Sequence, residues 1–99
     1  MKQNKYLNLV GLAFRAKKCS IGEEQIVRDI QHKQAKLVLI AEDIGKSTFK
    51  KITDKCKTYE VPYVTVDSRD VLSHAIGQTG RVAVAILDEG FAKKLKTLL

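Results

Sequence analysis

The sequence predicts an α/β domain folded as a three-layer α/β/α sandwich. Two patterns carry this reading. Short, continuously apolar runs such as LVLIA (37–41) and VAVAIL (82–87) are too short for typical helices and suit strands covered on both faces. Around them lie segments with a single apolar stripe at helical spacing. Strand and helix alternate, which implies βαβ crossovers and helices on both sides of a sheet. With 99 residues, the chain is long enough for one compact domain, spanning 1–99, and too short for two.

The elements follow in order. YLNLVGLAFRA puts Leu9, Val10, Ala13 and Phe14 on one helical face, and Gly11, a poor helix former, points to close packing there. CSIG reads as a short strand leading into a second helix, where Ile26, Val27 and Ile30 share a face and HKQAK ends the pattern. After LVLIA, the segment STFKKITDKCKTY carries Phe49, Ile52, Cys56 and Tyr59 in one stripe, with Ser47 or Thr48 as the expected cap. VPYVTV is the next strand, and Pro62 can open it because no ladder donor is needed there. Ser68 can cap RDVLSHAI, and Gly77 suits the position past its end. Following VAVAIL, Asp88 can cap a last helix striped by Phe91, Leu95 and Leu98.

Composition narrows function. The chain is 44% apolar and 29% charged, with a formal net charge of +7. In so small a domain that excess favours a polyanionic partner such as nucleic acid. Cys19 and Cys56 belong to no C-x-x-C pair and have no ligand-spaced histidine, so they read as reduced thiols of a cytoplasmic protein. The start, MKQNKYLNLVGLAFR, places lysines before an apolar stretch like a signal peptide. Asn8 interrupts that stretch, Arg15 closes it, and no small-x-small cleavage site follows. No run approaches the ~20 apolar residues a membrane span needs. The expectation is a cytoplasmic monomer without a membrane anchor.

Catalytic patterns fail one by one. In LVLIAEDIGKST, Gly45-Lys46-Ser47 follows a strand, but the first glycine of a P-loop would fall at Ile40, and Glu42 and Asp43 would repel a nucleotide. Lys46 remains a candidate phosphate contact at a helix start. His32 and His74 are isolated, Ser73 beside His74 sets up no nucleophile, and the adjacent Glu42 and Asp43 diverge on a strand. The chain is therefore expected to be no enzyme and to hold no metal or cofactor. Lys50, Lys51, Lys55 and Lys57 read as a solvated helix face, and the few aromatics offer no base-stacking sheet.

Two segments remain as binding candidates. In IGEEQIVR, Gly22 lets the backbone turn closely, while Glu23 and Glu24 in the first turn complement the helix dipole. Glu24, Gln25 and Arg28 adjoin on one surface. They offer an acceptor, a donor–acceptor amide and a cationic fork, a set that suits base edges better than bare phosphate. GQTGR (77–81) is a glycine-flanked polar loop before a buried strand, suited to clamping a nucleic-acid backbone or an extruded nucleotide.

The segments GLAFRAKKCSIGEEQIVRDIQHKQAKLVLIAEDI, CKTYEVPYVTV and AIGQTGRVAVAILDEGFAKKL together resemble the kink-turn-binding ribosomal protein family with the pelota-type RNA-binding fold, in particular its small bacterial members. The resemblance implies an α/β/α sandwich around a mixed sheet of about four strands. It also implies binding to structured RNA, a sharply bent internal loop with sheared G·A pairs, in rRNA or an mRNA element, with the ribosome as a further partner. The family motif at the second helix is Gly-x-Asn-Glu-x-x-Lys. Gly22 matches its glycine, while Glu24, Gln25 and Arg28 stand at the asparagine, glutamate and lysine positions. Gln78, Thr79, Gly80 and Arg81 fall where the family contacts a flipped-out nucleotide, and Lys17 stands where glycine is frequent. The alternative reading is a protein–protein adaptor of the translation machinery on the same fold.

Overall fold

The computed structural model describes residues 5–99; the first four residues, which open the signal-like stretch, lie outside the described residues. The chain runs α1 (Lys5–Arg15), β1 (Cys19–Ile21), α2 (Glu23–Gln31), β2 (Leu37–Ile40), α3 (Lys46–Thr58), β3 (Tyr63–Thr65), α4 (Arg69–Ala75), β4 (Ala83–Ile86) and α5 (Glu89–Leu98). The strands form one sheet in the order β1-β4-β2-β3. β2 and β3 are parallel, with Val38 opposite Tyr63, whereas β4 is antiparallel to both β1 and β2. The sheet is thus mixed and four-stranded.

The β2–α3–β3 unit is the crossover that the alternation implied. The second expected crossover is not parallel, because β4 inserts between β1 and β2 against their direction. A strand buried on both faces has the same apolar pattern whichever way it runs, so pairing rather than pattern decides direction.

Alternation along the two central strands divides the core. Leu37, Leu39, Val84 and Ile86 face Tyr6, Val10, Ala13, Leu72 and Leu95 of α1, α4 and α5. Val38, Ile40, Ala83 and Ala85 face Ile26, Ile30, Ile52 and Cys56 of α2 and α3. These two faces make the three layers. In α1 the buried seam is Tyr6, Val10 and Ala13, and Leu9 and Phe14 flank it half-buried. Gly11 is packed as its position suggested. A Cβ there would lie 2.7 Å from the Ala75 carbonyl oxygen, closer than any side chain allows.

The α3 stripe needs two corrections. Ile52 and Cys56 are buried, but Phe49 is 37% exposed and Tyr59 half-buried. Phe49 lies in the first turn, ahead of the residues that pack on the sheet, and periodicity does not say where a helix overhangs its support. Neither Ser47 nor Thr48 caps the helix: Gly45 is the N-cap and supplies no side-chain bond. The Thr48 side chain instead lies beside Glu23 of α2, in the wall of one cleft. The other caps are as expected. Ser68 Oγ accepts from Val71 N at 3.3 Å, and Asp88 Oδ2 accepts from Phe91 N at 2.9 Å. Gly77 past α4 is left-handed at φ 68°. Pro62 precedes edge strand β3, donating nothing while its carbonyl accepts from Val38 N at 3.0 Å.

Candidate nucleic-acid interface

The chain leaves β1 and enters α2 through one residue. Gly22 has φ 90° and ψ 132°, a conformation that L side chains rarely adopt. As the N-cap it contributes no side-chain acceptor, so no capping side chain takes up the first N–H groups of α2. α3 starts the same way behind Gly45. The two helices on this face therefore begin uncapped by side chains, whereas α4 and α5 begin capped.

The starts of α2 and α3 are tied together. Lys51 Nζ lies 2.8 Å from Glu23 Oε2. The Lys51 hydrogen bond, more than nearby Thr48, holds the Glu23 carboxyl below its ordinary range, and the same contact raises the Lys51 ammonium. Glu23 thus faces α3. Glu24, Gln25 and Arg28 are exposed and share one shallow groove with Gly22. Gln25 Nε2 donates to Asp29 Oδ1 at 3.2 Å, a bond that leaves the acceptor capacity of the amide carbonyl unused.

The loop before β4 meets this surface. Gly22 and Glu23, which also line the groove, wall a second, narrower cleft with Thr48, Gly80 and Arg81. Arg81 Nη1 comes within 4.0 Å of the position a Gly22 Cβ would take. The loop is held by Ser73, only 2% exposed, whose hydroxyl accepts from Arg81 N at 2.8 Å and donates to Arg81 O at 3.1 Å. Sequence reading tested Ser73 as a nucleophile and missed this role, for which the sequence carries no signal.

The structure thus joins Gly22, Glu24, Gln25 and Arg28 in one groove and brings Gly80 and Arg81 beside it. Lys46 is the exposed first residue of α3 and lines neither depression. Gln78 and Thr79 lie in the same loop but likewise outside both linings. Asp43, weighed with Glu42 as a carboxylate pair, is a structural tie: its Oδ1 accepts from Arg69 N at 2.8 Å and its Oδ2 lies 3.5 Å from Arg69 Nε. Among the described residues no three His, Cys, Asp or Glu side chains gather to hold a metal. Burial pushes the Cys19 thiol up to about 12 and that of Cys56 to about 11. Among the described residues no helix is long and apolar enough to cross a membrane.

The sequence profile of the Ribosomal protein L7Ae/L30e/S12e/Gadd45 family matches residues 4–96. The chain belongs to this family. It is similar to the RNA-binding protein YlxQ of Bacillus subtilis, 48% identical over 99 residues that cover 100% of this chain and 99% of that one. It is 33% identical over 92 residues to the large ribosomal subunit protein eL8 of Thermoplasma volcanium, covering 92% and 76% of the two chains. A solved structure of a Bacillus halodurans protein, described as of unknown function, superposes with a TM-score of 0.92 at 43% identity and 97% coverage of each chain. The fold is that of the family, and the relatives' names are those of RNA-binding and ribosomal proteins, in agreement with a non-enzymatic chain.

Proposed function

We propose that this protein binds structured RNA and recognises a kink-turn through the start of α2 and the loop before β4. One observation carries the reading: Arg81, from a distant loop, reaches Gly22 and closes a cleft beside the Glu24–Gln25–Arg28 groove. Family membership and the RNA-binding names of relatives support the RNA part. The chemistry supports the kink-turn part. Glu24 accepts hydrogen bonds from guanine N–H donors, the Gln25 carbonyl accepts and its amide donates, and Arg28 forks onto a base edge or phosphate. The uncapped starts of α2 and α3, with Lys46 leading the latter, offer backbone N–H groups to phosphate oxygens. Gln78, Thr79, Gly80 and Arg81 hold an extruded nucleotide. The protein acts as one domain, in the cytoplasm, on rRNA or an mRNA element.

The test is a calorimetric titration with a kink-turn hairpin and with the same stem in which the sheared G·A pairs are replaced by Watson–Crick pairs. The first is bound tightly and the second weakly. Equal affinity for both removes kink-turn recognition and leaves general RNA binding.

A further inference from the structure

The positive charge of this chain is not where the cleft is. At the end of the sheet where β1, β2 and β3 finish, Arg28, Lys46, Lys51, Arg69 and Arg81 stand against Glu23, Glu24, Glu42, Asp43 and Asp67. Lys51 and Arg69 lie against Glu23 and Asp43, Arg28 and Arg81 line the groove and the cleft, and the five cations face five acids. A net charge of +7 must therefore be carried elsewhere.

Lysines stand at the opposite end of the sheet. β1 and β2 both begin opposite Ile86. Lys18 O accepts from Leu87 N at 2.7 Å on one side of β4, and Lys36 N donates to Ile86 O at 2.7 Å on the other. Two lysines thus straddle the end of the central strand, about 10 Å apart at two strand spacings. Lys36 Nζ donates to Lys33 O at 3.1 Å, which holds its ammonium at the surface with donors to spare. Lys33, Lys36 and Lys96 line one depression there, with Glu60 and Glu89 as its acids. None of the exposed large apolar side chains described, Leu12, Phe49, Val71 and Leu99, lines it. Phosphodiester oxygens suit such a site, and a lipid surface, which needs apolar insertion as well as charge, suits it less.

We propose that this lysine pole binds the backbone of a second RNA helix while the cleft holds the first, so that the protein bridges two RNA segments. The inference rests on the RNA reading of the cleft but uses none of its residues. The two surfaces lie at opposite ends of the sheet, Lys18 just before β1 and Gly22 just after it.

The full chain is saturated with the kink-turn hairpin and then titrated with a fluorescent RNA duplex of about 20 base pairs between about 50 and 200 mM salt. The expected result is a second binding event that weakens roughly a hundredfold across that range, as four phosphate contacts imply. A variant with Lys18→Gln, Lys33→Gln, Lys36→Gln and Lys96→Gln should lose that event and keep its hairpin affinity. Competition between duplex and hairpin for one site overturns the proposal, as does unchanged duplex binding by the variant. Binding of phosphatidylserine vesicles through these lysines with no duplex binding also overturns it, in favour of a membrane. If the hairpin fails to bind while duplex binding still depends on the lysines, the cleft reading falls and the bridge with it, and only duplex binding by the lysine pole stands.

Discussion

Two buried serines should respond in opposite ways to the same substitution. Ser73 is 2% exposed and its hydroxyl makes two bonds, at 2.8 and 3.1 Å, to the backbone of Arg81. Ser20 is 8% exposed and its Oγ is buried with no hydrogen-bond partner among the described residues. Ser73→Ala deletes two hydrogen bonds, each contributing about 1 kcal/mol net, and leaves the Arg81 N–H without its acceptor. Arg81 is half-buried, so water recovers part of that loss. The expected cost is about 2 kcal/mol, which at a urea slope near 2 kcal/mol/M lowers the midpoint by about 1 M. Ser20→Ala instead removes an unsatisfied hydroxyl, and stability should stay within about 0.5 kcal/mol or rise. Equilibrium urea unfolding followed by circular dichroism measures both. RNA affinity adds a second readout, since only Ser73→Ala loosens the loop that presents Arg81. Equal destabilisation by the two variants, or none by Ser73→Ala, would refute the claim that Ser73 staples the loop.

Gln25→Ala and Arg28→Ala should each weaken kink-turn binding by about 1–3 kcal/mol with the fold intact; wild-type affinity in both would show that the groove is misassigned. Gly11→Ala should lower the melting temperature although alanine favours helix by about 1 kcal/mol, because its Cβ meets the Ala75 carbonyl at 2.7 Å; a rise in Tm would mean that α1 and α4 separate easily. Lys17→Gly and Glu60→Gly should each stabilise by about 0.5–1 kcal/mol in thermal unfolding, since both residues hold positive φ, 62° and 57°. The depressed Glu23 carboxyl implies stability present above the ordinary carboxylate range and lost as pH falls through its lower folded value. Lys51→Met should bring the Glu23 titration, followed by NMR, back toward the ordinary range; an unmoved titration would assign the depression to another group.

The local elements were legible because their signals are local. Pro62, Ser68, Gly77 and Asp88 each mark a boundary through chemistry confined to one turn, and the apolar runs of β2 and β4 are buried throughout as read. The groove residues were legible for the same reason, since Glu24, Gln25 and Arg28 adjoin on any helix that starts at Gly22. Phe49 and the α3 cap were misread where a local pattern met a neighbour: Thr48 lies beside Glu23, and the first turn of α3 runs ahead of its packed residues.

By itself, then, the sequence determined which segments become helix or strand, which faces are apolar, where several helices begin and end, and that the whole carries a strong positive charge. Periodicity and capping act within a few residues, so they are written where they operate. Only the tertiary structure decided that β4 runs against β1 and β2, that Arg81 reaches Gly22, that Ser73 holds the loop, and that Lys33, Lys36 and Lys96 line one depression away from the cleft. Each of these depends on strand order, which is settled by packing two apolar faces at once and leaves no mark on any single stretch of chain.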